Sequence, residues 1–294
     1  MENKTALIME GGAMRGMFTC GVLDVFMENG IAFDAGAGIS AGAVFGCNFK
    51  SKQIGRPIRY NKEYCNDKRY CSVRSWIKTG DMYGVDFCYR ELPYELDPFD
   101  WDTYKKNPLK FYIGTSNVET GGPEYYLCTG DEERDLKWMQ ASASMPIVSK
   151  IVEVDGKKML DGGMVDAVPF KYMESLGYNK NVIILTQAKG YRKTQTSILP
   201  LAKISLRKYP KMVEALRNRH IMYNKQMDEL DEIEASGKSI VIRPPEPLGI
   251  SRTEKNPEEL ERVYQLGRKV AEERLDEIKE FLKQNNLEKT HENA

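Results

Sequence analysis

Apolar residues along this chain fall into two alternating patterns, short continuous runs and longer helical repeats. Thr5–Met9 is a run of the first kind, ending at Glu10-Gly11-Gly12, and reads as a buried strand entering a glycine turn. From Arg15 to Asn29 the apolar positions Phe18, Val22, Val25 and Phe26 recur at helical spacing, and Gly30 supplies the stop. Ile31–Gly38 reads as a second strand and Ala41–Phe49 as a helix of small residues. Strand, glycine loop, helix, strand and helix in this order predict a βαβ arrangement and a parallel sheet.

Phe49–Pro108 has weak periodicity and is broken by Pro57, Pro93 and Pro98, so short helices and loops beside the sheet are expected there. Lys110–Thr115 resumes a strand. Thr120-Gly121-Gly122-Pro123 turns it into Glu124–Cys128, a hairpin. Leu136–Ala143 reads as a helix ending near Pro146. Asp155-Gly156 between Ile151–Val154 and Lys158–Leu160 is a hairpin signal, and the second run delivers Asp161-Gly162-Gly163. Phe170–Leu176 reads as helix and Val182–Thr186 as strand. Ile204–Ala235 is a long amphipathic stretch interrupted at Pro210, and Ser239–Ile242 is a last strand. Glu258–Lys283 carries Leu260, Val263, Leu266, Val270, Leu275 and Ile278 on one helical face, which is expected to pack on the sheet. Asn285–Ala294 reads as a frayed tail. The strands run from Thr5 to Ile242, so one α/β domain over 1–294 is expected, with a helical portion from about 204 to 285.

At 294 residues, 41% of them hydrophobic, the chain has material for a sizeable core. Lys+Arg and Asp+Glu both number 43, a balance that points to no nucleic-acid partner. The basic residues cluster locally: Lys50 to Lys78 holds nine, at 50, 52, 56, 59, 62, 68, 69, 74 and 78, against Glu63 and Asp67. The basic, aromatic stretch from Lys50 to Tyr89 is a candidate lid or contact for anionic lipid, or a solvated surface over buried rings. Residues 1–5 do not read as a secretory signal, and no window has eighteen consecutive apolar residues. The six cysteines form no Cys-x-x-Cys pair and have no neighbouring histidines. Free thiols in a reducing, cytoplasmic setting, with no metal and no cofactor, are the expectation.

The glycine loops carry the chemistry. Gly11 to Gly16 has P-loop spacing, but Met17 and Phe18 stand where Lys and Ser/Thr would be needed to hold a triphosphate. Gly36-x-Gly38-x-x-Ala41 matches a dinucleotide fingerprint, yet residues 49–63 offer no apolar strand with an acidic end. Gly38-Ile39-Ser40-Ala41-Gly42 places a serine at a strand-to-helix turn, where flanking glycines admit a tight bend and helix amides point at a developing oxyanion. A serine hydroxyl needs a base. The chain has two histidines: His291 in the tail and His220 in a charged helix, where it reads as solvated. Asp161, at a strand end before two glycines, is the best-placed carboxylate, although Asp-Gly-Gly is also an ordinary turn.

Taken in order, these elements resemble the patatin-like phospholipase family. The family pattern is a glycine-rich loop ending in Arg-Gly, here Gly11, Gly12, Ala13, Met14, Arg15 and Gly16, then Gly38–Gly42, then a distant Asp161-Gly162-Gly163. The stretch Ala141–Pro146 and the pair Val168-Pro169 also match. The resemblance covers about Ala6 to Gln187 and implies a three-layer α/β/α fold around a mainly parallel sheet. It implies Ser40 as nucleophile and Asp161 as base in a dyad without histidine, with Gly11, Gly12 and Ala13 donating to the oxyanion and Arg15 fixing the loop. Ala13 replaces the family's third glycine and Glu10 its usual aspartate; alanine resists positive φ, so the loop must suit it or the hole is altered.

The implied reaction is hydrolysis of lipid carboxylic esters through an acyl-enzyme. A general carboxylesterase or thioesterase, a catalytically silent lipid-binding protein and a dinucleotide-dependent oxidoreductase are the alternatives. Met14, Met17 and Phe18 line an acyl groove or are core positions of the first helix. The implied partners are a lipid or other acyl ester and the inner face of a membrane contacted peripherally; the sequence is silent on oligomeric state.

Overall fold

In the computed structural model, which describes residues 4–292 and side chains through 283, the helices and strands follow the expected order. They are β1 (Thr5–Met9), α1 (Met17–Glu28), β2 (Ala35–Ile39), α2 (Ala41–Lys50), α3 (Arg56–Tyr64), α4 (Val73–Thr79) and α5 (Trp101–Lys106). Next come β3 (Lys110–Asn117), β4 (Pro123–Leu127), α6 (Glu132–Ser142), β5 (Val152–Val154), β6 (Lys157–Asp161), α7 (Phe170–Ser175) and β7 (Lys180–Ile184). The chain then runs through α8 (Leu199–Ser205), α9 (Pro210–Ala235), β8 (Ser239–Ile242), α10 (Pro257–Glu273) and α11 (Leu275–Glu292). A π-helical segment, Phe87–Leu96, precedes α5.

The strands connect by pairing as β5-β6-β3-β2-β1-β7-β8; β4 lines one edge of β3, and β2 and β6 follow one another along its other edge. The five strands from β3 to β8 are mutually parallel, as βαβ connections require, while β4, β5 and β6 pair antiparallel. Alternation along β1 sends Leu7 and Met9 to one face and Ala6 and Ile8 to the other, and β7 and β8 alternate likewise. The first face is covered by α1, α2 and α10. The second is covered by α7 and α9 through Phe170, Met173, Tyr223, Met227 and Leu230. The architecture is a three-layer α/β/α sandwich with a mainly parallel centre.

Two terminal expectations change. The last amphipathic stretch divides at Arg274 into α10 and α11. Its first part packs closely on α1 and α3 and, as expected, shares the apolar cluster of the first sheet face. The backbone from 285 onward continues α11 to Glu292, whereas 293–294 lie outside the described residues. The α1–α10 crossing is built on glycine: a Cβ on Gly21 would overlap the Tyr264 carbonyl, and one on Gly267 would overlap the Phe18 carbonyl. Backbones that approach this closely leave no room for a methyl. Gly267→Ala is expected to cost about 1–3 kcal/mol through overpacking, lowering the melting temperature by several degrees. A melt superimposable on that of the parent would contradict so close a crossing.

Candidate active site

The third strand carries the site. On one edge β3 pairs with β4 through Tyr112 to Ser116. On its other edge it pairs first with β2, ending at Ile39↔Gly114, and then with β6, starting at Asp161↔Thr115. Since β2 runs parallel to β3 and β6 antiparallel, the two strands end head-on at adjacent positions of one edge. Ser40 leaves the end of one and Asp161 ends the other. Residues 121 positions apart in sequence (161 − 40) are thus delivered to one spot by hydrogen-bond register alone.

Ser40 sits at φ 54, ψ −120, a conformation that costs a non-glycine residue about 1–3 kcal/mol. Its surroundings hold it there. The Ser40 N–H donates to Ser142 Oγ at 2.8 Å, and Ser142 Oγ donates to the Gly114 carbonyl at 2.7 Å. Gly38 and Gly42 are required by contact, since a Cβ on Gly38 would strike the Gly42 carbonyl and one on Gly42 the Met9 carbonyl. The same α6 terminus holds the acid: the Asp161 N–H donates to the Ser144 carbonyl at 2.8 Å. The stretch Ala141–Pro146 therefore clamps both residues, a role its sequence did not disclose.

Asp161 is buried, 2% exposed. Its Oδ1 accepts the Gly163 N–H at 2.8 Å, whereas Oδ2 is buried without a hydrogen-bond partner. The Ser40 side chain is near enough to favour the ionised carboxylate, yet the two form no hydrogen bond of good length and angle. Burial raises the Asp161 pKa above the usual 3.8; Ser40, the Arg219 guanidinium, the Gly163 N–H and Lys193 oppose it. Gly162 lies where a Cβ would meet the Gly114 carbonyl, so this loop too needs glycine to hug β3.

The loop after β1 borders Ser40. The N–H groups of Gly11, Gly12 and Ala13 donate to no protein acceptor among the described residues. Ala13 adopts φ 51, so alanine has taken up the left-handed conformation that the third glycine of the family pattern would accept freely. Glu10 anchors the loop: Oε2 accepts the Thr186 N–H at 2.7 Å and Oε1 accepts the Tyr223 hydroxyl at 2.9 Å. Arg15 lines the adjoining small cavity with its Nε buried and unpartnered.

A cavity of about 640 Å³ opens beside Ser40 and Ala13, lined also by Met14, Tyr89, Trp101, Met139 and Met145. This is the size and character of a small-molecule site. Met14 lines it, while Met17 and Phe18 are core. His220 lines neither cavity around Ser40. It is half-buried, with Nδ1 sealed from water and unpartnered. Much of the basic stretch is also spent internally. The Lys50 ammonium is held by the Asn107 and Leu109 carbonyls, Arg56 is buried on the Asp97 carbonyl, and Lys62 pairs with Glu261. Among the described residues no cluster of three His, Cys, Asp or Glu is placed to hold a metal. Sequence reasoning passed over Arg219 and Lys193, which carry no motif; Arg219 Nε donates to the Gly163 carbonyl at 2.7 Å.

Because folding raises the Asp161 pKa, this carboxyl favours the folded state most below about pH 4, and that contribution is lost as pH rises through the folded value. At neutral pH the buried charge is a cost. Asp161→Asn is therefore expected to melt no lower than the parent at pH 7, with the difference growing from pH 4 upward. Thermal melts across that range check it, and a variant clearly less stable at pH 7 would contradict the sign.

Comparison with known proteins gives two family matches. Residues 7–173 match the family described as patatin-like phospholipase, and residues 209–283 match a domain of unknown function, DUF6363. The uncharacterized protein YjjU of Escherichia coli is 29% identical over 188 residues, 62% of this chain and 52% of its own length. A lysophospholipase nte1 of Aspergillus terreus is 23% identical over 302 residues, 93% of this chain but 18% of its own. The chain thus spans about half of the first relative and under a fifth of the second. Among solved structures, VipD from Legionella pneumophila aligns with a TM-score of 0.46 at 13% identity, covering 94% of this chain and 67% of VipD.

Proposed function

The chain belongs to the patatin-like phospholipase family, and from that premise we propose that it is a serine hydrolase of lipid carboxylic esters, working through Ser40 and Asp161. The observation that carries this reading is the head-on meeting of β2 and β6 on one edge of β3. Ser40 Oγ attacks the ester carbonyl carbon as its proton passes to the Asp161 carboxylate. The oxyanion is received by the free N–H groups of Gly11, Gly12 and Ala13. Collapse breaks the C–O bond, and the leaving alcohol takes the proton from Asp161. Water then attacks the acyl-Ser40 ester with Asp161 as base, releasing the fatty acid and restoring the serine. The raised pKa suits that role, because a carboxylate of ordinary acidity is too weak a base for a serine hydroxyl. The acyl chain occupies the large apolar cavity, and the relatives named as lysophospholipases favour a glycerolipid substrate.

A bilayer contact follows from α4. Val73, Trp76 and Ile77 share one helical face and are 61%, 37% and 76% exposed, with Arg74 and Lys78 beside them. Trp76 Nε1 donates to the carbonyl of Ile147, which lines the large cavity, so this face lies at the cavity's rim. Apolar side chains enter the lipid interface while the cations meet anionic headgroups.

A fluorophosphonate should label the protein, with labelling and ester cleavage lost in Ser40→Ala. Asp161→Asn should reduce cleavage by several orders of magnitude while remaining folded. Labelling that survives in Ser40→Ala would refute the assignment, and a folded protein that binds lipid without labelling or turnover would be the silent alternative. For α4, Ile77→Glu should weaken binding to anionic phosphatidylglycerol vesicles about tenfold and leave cleavage of a soluble short-chain ester as it was. Unchanged vesicle binding would remove α4 from the interface.

A further inference from the structure

Four cations converge beside Ser40 with no carboxylate paired to them. Arg15, Lys193, Arg219 and Arg252 line a cavity of about 40 Å³ that adjoins Ser40, Gly11, Gly12 and Ala13. Its acidic lining consists of Glu10 and Asp161. Glu10 is occupied by Thr186 and Tyr223, and Asp161 Oδ1 by the Gly163 N–H. Among the described residues none of the four cations has a carboxylate within 4.0 Å. The Arg15 Nε is buried with no hydrogen-bond partner. The Lys193 ammonium lies 3.3 Å from the Tyr223 ring centroid and meets no oxygen. Arg219 commits its Nε to the Gly163 carbonyl and leaves its terminal nitrogens uncommitted.

Arg15, Lys193 and Arg219 are partly buried, where unpaired cations repel one another and lose hydration, while Arg252 is exposed and adds its charge to theirs. Burial, with Arg219 next, pushes the Lys193 pKa well below its usual value, and burial lowers that of Arg219. A bound anion reverses both penalties. An ester oxyanion alone does not account for four cations, since three free backbone N–H groups already face it. A volume of about 40 Å³ holds roughly three waters or one tetrahedral oxyanion. The small cavity shares Ala13, Ser40, Lys193, Arg219 and Arg252 with the 640 Å³ cavity, so one substrate can occupy both.

We propose that Arg15, Lys193, Arg219 and Arg252 form a subsite for an esterified phosphate of the acyl substrate, so that phosphate-bearing glycerolipids are preferred over neutral ones. The proposal rests on the acyl-hydrolase reading and deepens it. Lys193, Arg219 and Arg252 all follow the stretch that matches the patatin-like family, and two of them fall within the 209–283 match of unknown function. The C-terminal part of the chain thereby supplies the phosphate-binding wall of a pocket whose reacting groups come from the N-terminal part.

The test is the ratio of kcat/KM for a 1-acylglycerol 3-phosphate to that for the 1-acylglycerol of the same chain, measured below aggregation. The parent should favour the phosphate ester. Lys193→Met and Arg252→Gln should each lower the ratio about tenfold or more, mainly through KM, with Lys193→Arg restoring most of it. Inorganic phosphate should compete against a neutral short-chain ester in the parent and more weakly in Lys193→Met. A parent ratio near one, or a ratio unmoved in both variants, overturns the proposal. Phosphate competition without any preference among esters assigns the site to free phosphate and overturns it as well. If the protein takes no fluorophosphonate and cleaves neither ester, it is the hydrolase reading that falls. A phosphate-dependent rise in melting temperature, lost in Lys193→Met, then still reports the anion site, and its absence removes that too.

Discussion

One edge of β3 is shared between two strands, and the geometry of the site follows from that. A β-strand edge offers hydrogen-bonding groups at fixed intervals, so two strands bound to it in succession are placed relative to one another with the precision of the ladder. Here β2 uses the edge up to Gly114 and β6 takes over at Thr115. The proposed nucleophile and base therefore need no flexible loop to find each other. A register slip of either strand would turn its side chains to the opposite face and separate them.

Holding that junction closed strains the backbone, and the surrounding structure offsets the strain. Ser40 stands at positive φ, and its one freed amide is taken by Ser142, which is itself tied to Gly114 of β3. Asp161 is fixed by Ser144 two residues further on, so a single helix terminus braces both sides of the junction. Burial leaves Asp161 Oδ2 without a partner. A fully satisfied carboxylate would be more stable and a poorer base. The same desolvation that destabilises the fold at neutral pH raises basicity at the site, and this is the trade expected of reactive groups.

The C-terminal third closes the structure around this junction without contributing a recognised motif. Through α10 it grips α1 at a glycine-to-glycine crossing, and through α9 it covers the second sheet face. Tyr223 reaches Glu10 and Arg219 reaches Gly163, so α9 touches both the loop before Ser40 and the loop after Asp161. Its cations complete a charge distribution that the N-terminal part alone would lack.

Local patterning carried the strands, the glycine turns and the order of elements, because backbone propensity, period and turn chemistry act within a few residues of the sequence. The glycines at 11, 12, 38, 42, 162 and 163 were legible for the same reason: each marks a bend or a close approach, and each lies beside the residue it serves. The resemblance extended this to Ser40 and Asp161 and to the fold class. Other features lay beyond local reading. His220 looked solvated and is sealed on one side, Lys50 and Arg56 looked like surface and are buried, and Ala13 adopts the left-handed backbone it was expected to resist. Whether a charge is spent on a carbonyl, a carboxylate or nothing depends on what the fold places opposite it, and residues far apart in sequence decide that. The convergence of Arg15, Lys193, Arg219 and Arg252 is a property of tertiary packing for that reason, whereas the turn that exposes Ser40 was already written in five consecutive residues.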